Sequence, residues 1–216
     1  MADEAASPGE DPPGAHPGRR ARGDTRERIQ AVALELFAEH GYEKTSLREI
    51  AERLGVTKAA LYYHFKSKED IVRSFTEDYV TDLDELIAWG TAQPRTGETR
   101  ALLLDRYSVI VGHRLPVMRF LEQNQAAVHQ LMSEGQRDRH KLFRTQFERL
   151  RDLLAGPDAP LRDRVRASVA VVSVGISCLL FDKDAGAPGE LHDIALETAC
   201  ELVGVEQPAG AGQPAG

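Results

Sequence analysis

Cysteine is nearly absent: Cys178 and Cys200 are the whole supply in 216 residues, and they do not share a CxxC spacing. That excludes a disulfide framework and a thiolate zinc site, and it fits a reducing, cytoplasmic setting. The chain also lacks a basic start followed by an apolar run, so no secretory leader is expected. Its most apolar stretch, Val165 to Phe181, is interrupted by Arg166 and several serines, which suits a buried helix better than a membrane span. Strand-favouring residues are sparse, and no segment alternates as a strand does. GxSxG, HExxH and P-loop patterns are missing, and neither cysteine has a histidine close by in sequence. No catalytic residue, metal ligand or cofactor is therefore expected. An enzyme would need a constellation assembled across helices.

Ala, Leu, Glu and Arg dominate instead, and these residues favour helix. The formal net charge of −7 argues against a nucleic-acid partner until its distribution is read. Residues 19–68 hold 11 Lys/Arg against 7 Asp/Glu, a local +4, while the remaining 16 basic and 27 acidic residues sum to −11. A basic block on an acidic body concentrates a phosphate-attracting field in one place.

Residues 1–18 are acidic and rich in Pro, Gly and Ala, and read as disordered, with Arg19, Arg20 and Arg22 as a basic arm. A first helix is expected from Asp24, which has capping-box spacing to Glu27; Ile29, Val32, Ala33, Leu36 and Phe37 form its apolar stripe, and Gly41 stops it. A second helix begins at Ser46 with Glu49 as capping partner, buries Leu47, Ile50, Ala51 and Leu54, and closes at Gly55. Val56 lies in the turn, Thr57 can cap a third helix over Lys58–His64, and Ser67 opens a fourth with Asp70. Two short capped helices joined by a glycine turn and braced by a longer one make a helix-turn-helix unit. Leu61 and Phe65 belong to its small core.

Beyond it, helices are expected to Trp89, over Leu102–His113, one or two over Val117–Ser133, then Gln136–Leu154, Leu161–Phe181 and Leu191–Val203. The expectation is an all-α protein of nine or ten helices. Its parts are a disordered arm (1–23), a helix-turn-helix domain (24–68), a helical ligand-binding and dimerisation domain (69–204) and a disordered tail (205–216). Pocket candidates in the body are Tyr107, His113, Phe120, Asn124, Met132, Phe143, Phe147 and Phe181, joined by Arg114 and His129. They supply apolar wall with a few polar groups, as a ligand site needs, although a helical core needs the same residues. The helix 161–181 is rich in small residues. With 191–203 it is the expected dimer interface through Ala167, Val171, Val174, Cys178, Leu191, Ile194 and Thr198, or else an internal core helix.

Over residues 25–70, the run from Thr25-Arg-Glu-Arg-Ile through Gly41-Tyr42-Glu-Lys-Thr45-Ser-Leu to Leu61-Tyr-Tyr-His-Phe-Lys-Ser-Lys68 resembles the TetR family of bacterial repressors. The resemblance implies a homodimer that places the third helix of each subunit in a major groove of a pseudo-palindromic operator on double-stranded DNA, with a small-molecule inducer bound in the body. It implies that Thr45 and Ser46 meet a phosphate as well as capping, and that Arg48 reaches a phosphate or a base. Tyr62 and His64 would touch the backbone or a base methyl, and Lys68 a phosphate. At the tip, Thr57, Lys58, Ala59 and Ala60 face the bases. Lys58 can donate to guanine O6 or N7, and the alanine methyls can meet thymine methyl. Tyr63 packs against the first helix or reaches a phosphate. A helical module that binds protein rather than DNA is the other reading, and the donors at Lys58, Tyr62, His64 and Lys68 argue against it.

Overall fold

A computed structural model of the chain describes residues 17–124, 136–180 and 190–208, with side chains from residue 25 onward except at 136–140 and 178–180. Every regular element among them is helical: α1 (Pro17–His40), α2 (Leu47–Leu54), α3 (Lys58–His64), α4 (Lys68–Ala92), α5 (Gly97–Gln123), α6 (Gln136–Ala155), α7 (Leu161–Leu180) and α8 (Glu190–Val203).

The caps of α2, α3 and α4 stand where sequence placed them, while Asp24 lies inside α1. The Ser46 Oγ accepts from the Glu49 N–H at 3.2 Å, Thr57 Oγ1 from Ala60 at 3.1 Å and Ser67 Oγ from Asp70 at 3.1 Å. Each satisfies an N–H that the first helical turn would otherwise leave unpaired. At the far end of α2, Gly55 takes φ +69° while no atom lies within 4 Å of where its Cβ would be. The glycine is there for its left-handed backbone, which lets the Val56 N–H turn back to the Ala51 carbonyl at 3.0 Å.

Four boundaries differ from expectation. α1 begins at Pro17, two turns before Asp24, because proline suits the first helical position and the arginines that follow sustain a helix. The basic arm is thus the first part of α1. α5 runs unbroken from Gly97 through Pro116, so two expected helices merge into one. Thr96, whose Oγ1 accepts from the Thr99 N–H, starts it a turn before Leu102. Eight helices are described where nine or ten were expected; residues 125–135, and with them Met132 and His129, lie outside the described residues, as does Phe181. The tail begins later than expected, since the Val205 N–H bonds the Cys200 carbonyl at 3.0 Å and its side chain packs on the body's core.

Two apolar cores organise the helices. One gathers Ile29, Leu36 and Phe37 of α1, Ile50 of α2, Leu61 and Phe65 beside α3, and Ile71 and Phe75 of α4. It also takes in Val117 and Phe120 of α5, so this unit's core does not end at residue 68. The second core joins α4, α5, α6, α7 and α8 around Leu104, Leu154, Ala167, Ala170 and Leu196.

Candidate nucleic-acid interface and body cavity

α3 is too short to be stable alone, and it is held by burial of Leu61 and Phe65, which are 0% and 2% exposed. The guanidinium of Arg26 sits 4.8 Å from the Phe65 ring centroid and anchors that end of α3 to α1. With its inner face fixed, α3 turns Thr57, Lys58, Ala59, Ala60 and Tyr63 outward, and Tyr62 and His64 are half-buried at its flank. Tyr63 is 63% exposed, and its ring meets His64 edge-on at 5.3 Å.

Much of the local positive charge is already matched. Arg26 lies 3.7–3.8 Å from Glu77 and Asp78, Arg48 pairs with Glu52 at 2.7 Å and Arg53 with Glu39 at 3.0 Å. Lys66 Nζ donates to the Tyr62 carbonyl at 2.9 Å. Lys58 is in no ion pair among the described residues; its ammonium lies 5.3 Å from the Tyr62 ring centroid. It is the cation at the exposed tip that remains available to an incoming acceptor. Arg48 is exposed at the start of α2, where an acceptor would compete with Glu52 for its guanidinium.

Two expected phosphate anchors stand differently. Thr45 is 2% exposed, and its Oγ1 lies 3.2 Å from the Leu36 carbonyl and 2.9 Å from that of Gly41. Its N–H also bonds Gly41 O at 3.3 Å. A hydroxyl has one proton to give, so Thr45 locks the loop between α1 and α2, and exposed Ser46 alone caps α2. Lys68 Nζ donates to the Tyr42 carbonyl at 2.7 Å and the Glu43 carbonyl at 3.3 Å, and stands 4.5 Å from the Tyr42 ring centroid. An ammonium has three protons, so one remains for a phosphate while two hold the loop. Behind it, the Tyr42 hydroxyl donates to Glu69 at 3.1 Å; burial, and then the Glu69 charge, push that phenol up.

In the body, Tyr107, Phe143 and Phe147 come together with Tyr79, Leu83 and Val171 around a cavity of about 360 Å³ between α4, α5, α6 and α7. Tyr79 and Phe143 lie 5.8 Å apart between ring centroids. The other described candidates are elsewhere. Phe120 stacks in the first core because α5 continues past Pro116 to reach α1. The Asn124 side chain bonds the Phe120 carbonyl at 2.9 Å and closes α5. His113 and Arg114 line a polar cleft with Glu27, Asp78 and Asp82, and Arg114 is ion-paired to Asp82. Tyr79 and Leu83 lie four residues apart on α4 and share its apolar spacing, but periodicity does not tell a wall from a core.

The expected interface residues divide by helix face. Ala167, Val171 and Val174 point into the second core at 0%, 2% and 2% exposure, so they cannot meet a partner. The outward face of α7 carries Leu161, Val165, Val169, Val172 and Ile176, all exposed and spaced by three or four. On α8, Ile194 and Thr198 are exposed as expected and Leu191 is half-buried. The Cys178 side chain lies outside the described residues.

A family model described as bacterial regulatory proteins, tetR family, matches residues 29–75. A transcriptional regulator AcrR of Shigella flexneri is 44% identical over 63 residues, covering 29% of each chain. A transcriptional repressor KstR2 of Rhodococcus jostii is 36% identical over 89 residues, 39% of this chain and 43% of that protein. The chain thus matches less than half the length of these curated relatives. A crystal structure of a transcriptional regulator of the TetR/AcrR family from Thermobifida fusca superposes with a TM-score of 0.57 at 28% identity, over 83% of this chain and 96% of that one.

Proposed function

Since the chain belongs to the TetR family of bacterial regulatory proteins, we propose that it is a homodimeric, sequence-specific DNA-binding repressor. A small molecule bound in the body releases it from a pseudo-palindromic operator. One observation carries the DNA reading: α3, braced by Leu61, Phe65 and Arg26, exposes Lys58, Ala59, Ala60 and Tyr63. That surface suits major-groove readout by one donor and two methyls. The Ser46-capped N-terminus of α2, Tyr62, His64 and the third proton of Lys68 supply phosphate contacts beside it.

Two supports favour a dimer. The outward stripe of α7 and Ile194 of α8 form an apolar surface of the kind monomers rarely leave in water. A two-fold copy would also pair two reading helices for a two-fold site. No described helix is long and apolar enough to cross a membrane, and the proposed site of action is the cytoplasm, where operator DNA is.

Binding selection on random duplex DNA tests the reading. Recovery of a two-fold motif is expected. Failure to enrich any motif at low salt would overturn it and favour the protein-binding module.

A further inference from the structure

The body cavity is apolar except for a few groups, and most of those are already satisfied. Gln146 donates through Nε2 to Asp84 at 2.8 Å and accepts through Oε1 from Arg149 at 3.3 Å. Arg144, at the rim, pairs with Glu148 at 2.9 Å. Among the described residues no carboxylate and no lysine lines the walls, and Arg144 is the one charged side chain there. Two phenols remain, Tyr79 of α4 and Tyr107 of α5, both in the cavity wall and close enough to influence each other. Burial pushes both phenols up, so both stay neutral across the physiological range. Gly175 of α7 makes room for the Tyr107 hydroxyl; a Cβ there would stand 3.3 Å from its oxygen.

Two hydroxyls carry two protons, and a bond between them would use only one. The pair therefore keeps at least one O–H for a ligand in an otherwise apolar cavity. A charged ligand would shed its water against Leu83, Phe147 and Val171 and meet neutral phenols, which is costly. A flat apolar molecule with one neutral acceptor loses little water and gains the phenol proton.

We propose that the cavity between α4, α5, α6 and α7 takes an uncharged, largely apolar aromatic ligand with a single carbonyl-type acceptor, read by the Tyr79–Tyr107 pair. This rests on the ligand-responsive reading above, but its test needs no DNA.

The probes are three naphthalenes that differ at one position: 6-acetyl-2-(dimethylamino)naphthalene, its carboxylate counterpart 6-(dimethylamino)-2-naphthoate, and the parent 2-(dimethylamino)naphthalene. Their fluorescence is titrated with the full chain. The ketone is expected to bind with blue-shifted emission, and the naphthoate at least about tenfold more weakly. In the double variant Tyr79→Phe/Tyr107→Phe the ketone should lose up to about tenfold in affinity while the parent is unchanged. Either Tyr alone can turn to the ligand, so both must be replaced. Phe147→Trp should displace all three probes by filling the cavity. The naphthoate binding as tightly as the ketone to the native chain would overturn the proposal, without any variant having to fold. So would equal losses for ketone and parent in the double variant, or ketone binding unaffected by Phe147→Trp. DNA release is then measured separately by anisotropy of a selected operator. Ketone binding without release would contradict the inducer reading and leave the ligand class standing.

Discussion

Phe120 of α5 stacks on Phe37 of α1, ring centroids 5.1 Å apart and planes 24° from parallel. The same ring lies 6.0 Å from Tyr42, so a helix of the body supplies part of the core that α3 rests on. Tyr107, in the cavity wall, is on that same helix. A shift of α5 at the cavity would reach α1 through packed rings, not through a flexible linker.

Replacing Phe120 by Ala would leave a void in that core. A loss of about 3–5 kcal/mol is expected from removed contacts and incomplete collapse, read by urea unfolding. Operator affinity should fall with it, because α1 and α3 share the disturbed core. A change below about 1 kcal/mol would show that the ring is peripheral.

Lys58 and Lys68 should separate cleanly. Lys58→Ala removes the tip donor and is expected to alter sequence preference with melting little changed, since among the described residues Lys58 holds no carboxylate and meets only the Tyr62 ring at 5.3 Å. Lys68→Ala should weaken all sites alike and lower the salt slope by about one. It should also lower the melting temperature, because Lys68 ties the Tyr42 and Glu43 carbonyls. Identical profiles for the two variants in binding selection and melting would refute the division between reading and anchoring.

The outward stripe of α7 predicts the effect of charge at an interface. Val169→Asp with Val172→Asp places two carboxylates where two copies would meet, and neither residue touches the core. Sedimentation at micromolar concentration should show a dimer for the native chain and a monomer for the variant. A native monomer, or a variant dimer, would remove α7 from the interface.

Cys200 provides a pH signature. Burial, with the charge of Asp105 adding, pushes its thiol from an ordinary value near 9 to about 11. In the unfolded chain the thiol ionises first, so its contribution to stability is full below pH 9 and is lost as pH rises through 11. The difference in urea midpoint between native chain and Cys200→Ala should shrink between those values. A constant difference would mean that the thiol titrates normally.

The reading unit was legible because its information is local. Ser46, Thr57 and Ser67 cap helices whose starts lie within three residues, and Gly55 turns the chain through its own φ. Thr45 and Ser46 show the limit. Adjacent hydroxyls look alike in sequence, and only the approach of the Leu36 and Gly41 carbonyls sends one inward. Pro116 shows another. It signals a break, yet Val117 and Phe120 gain a core by continuing the helix, and their burial outweighs the lost backbone bond.

By itself, the sequence determined the all-helical class, the capped helix-turn-helix and the basic block around it, since propensity, capping and charge act over a few residues. The tertiary structure alone decided which face of α7 is covered. That helix carries valine on both sides, with Val171 and Val174 turned in and Val165, Val169 and Val172 turned out, so its apolar period has no preferred direction until α5, α6 and α8 pack against one side. The same packing brings Tyr79, Tyr107 and Phe147 from three helices to one cavity. Contacts between distant segments depend on how helices cross, and no local pattern encodes that.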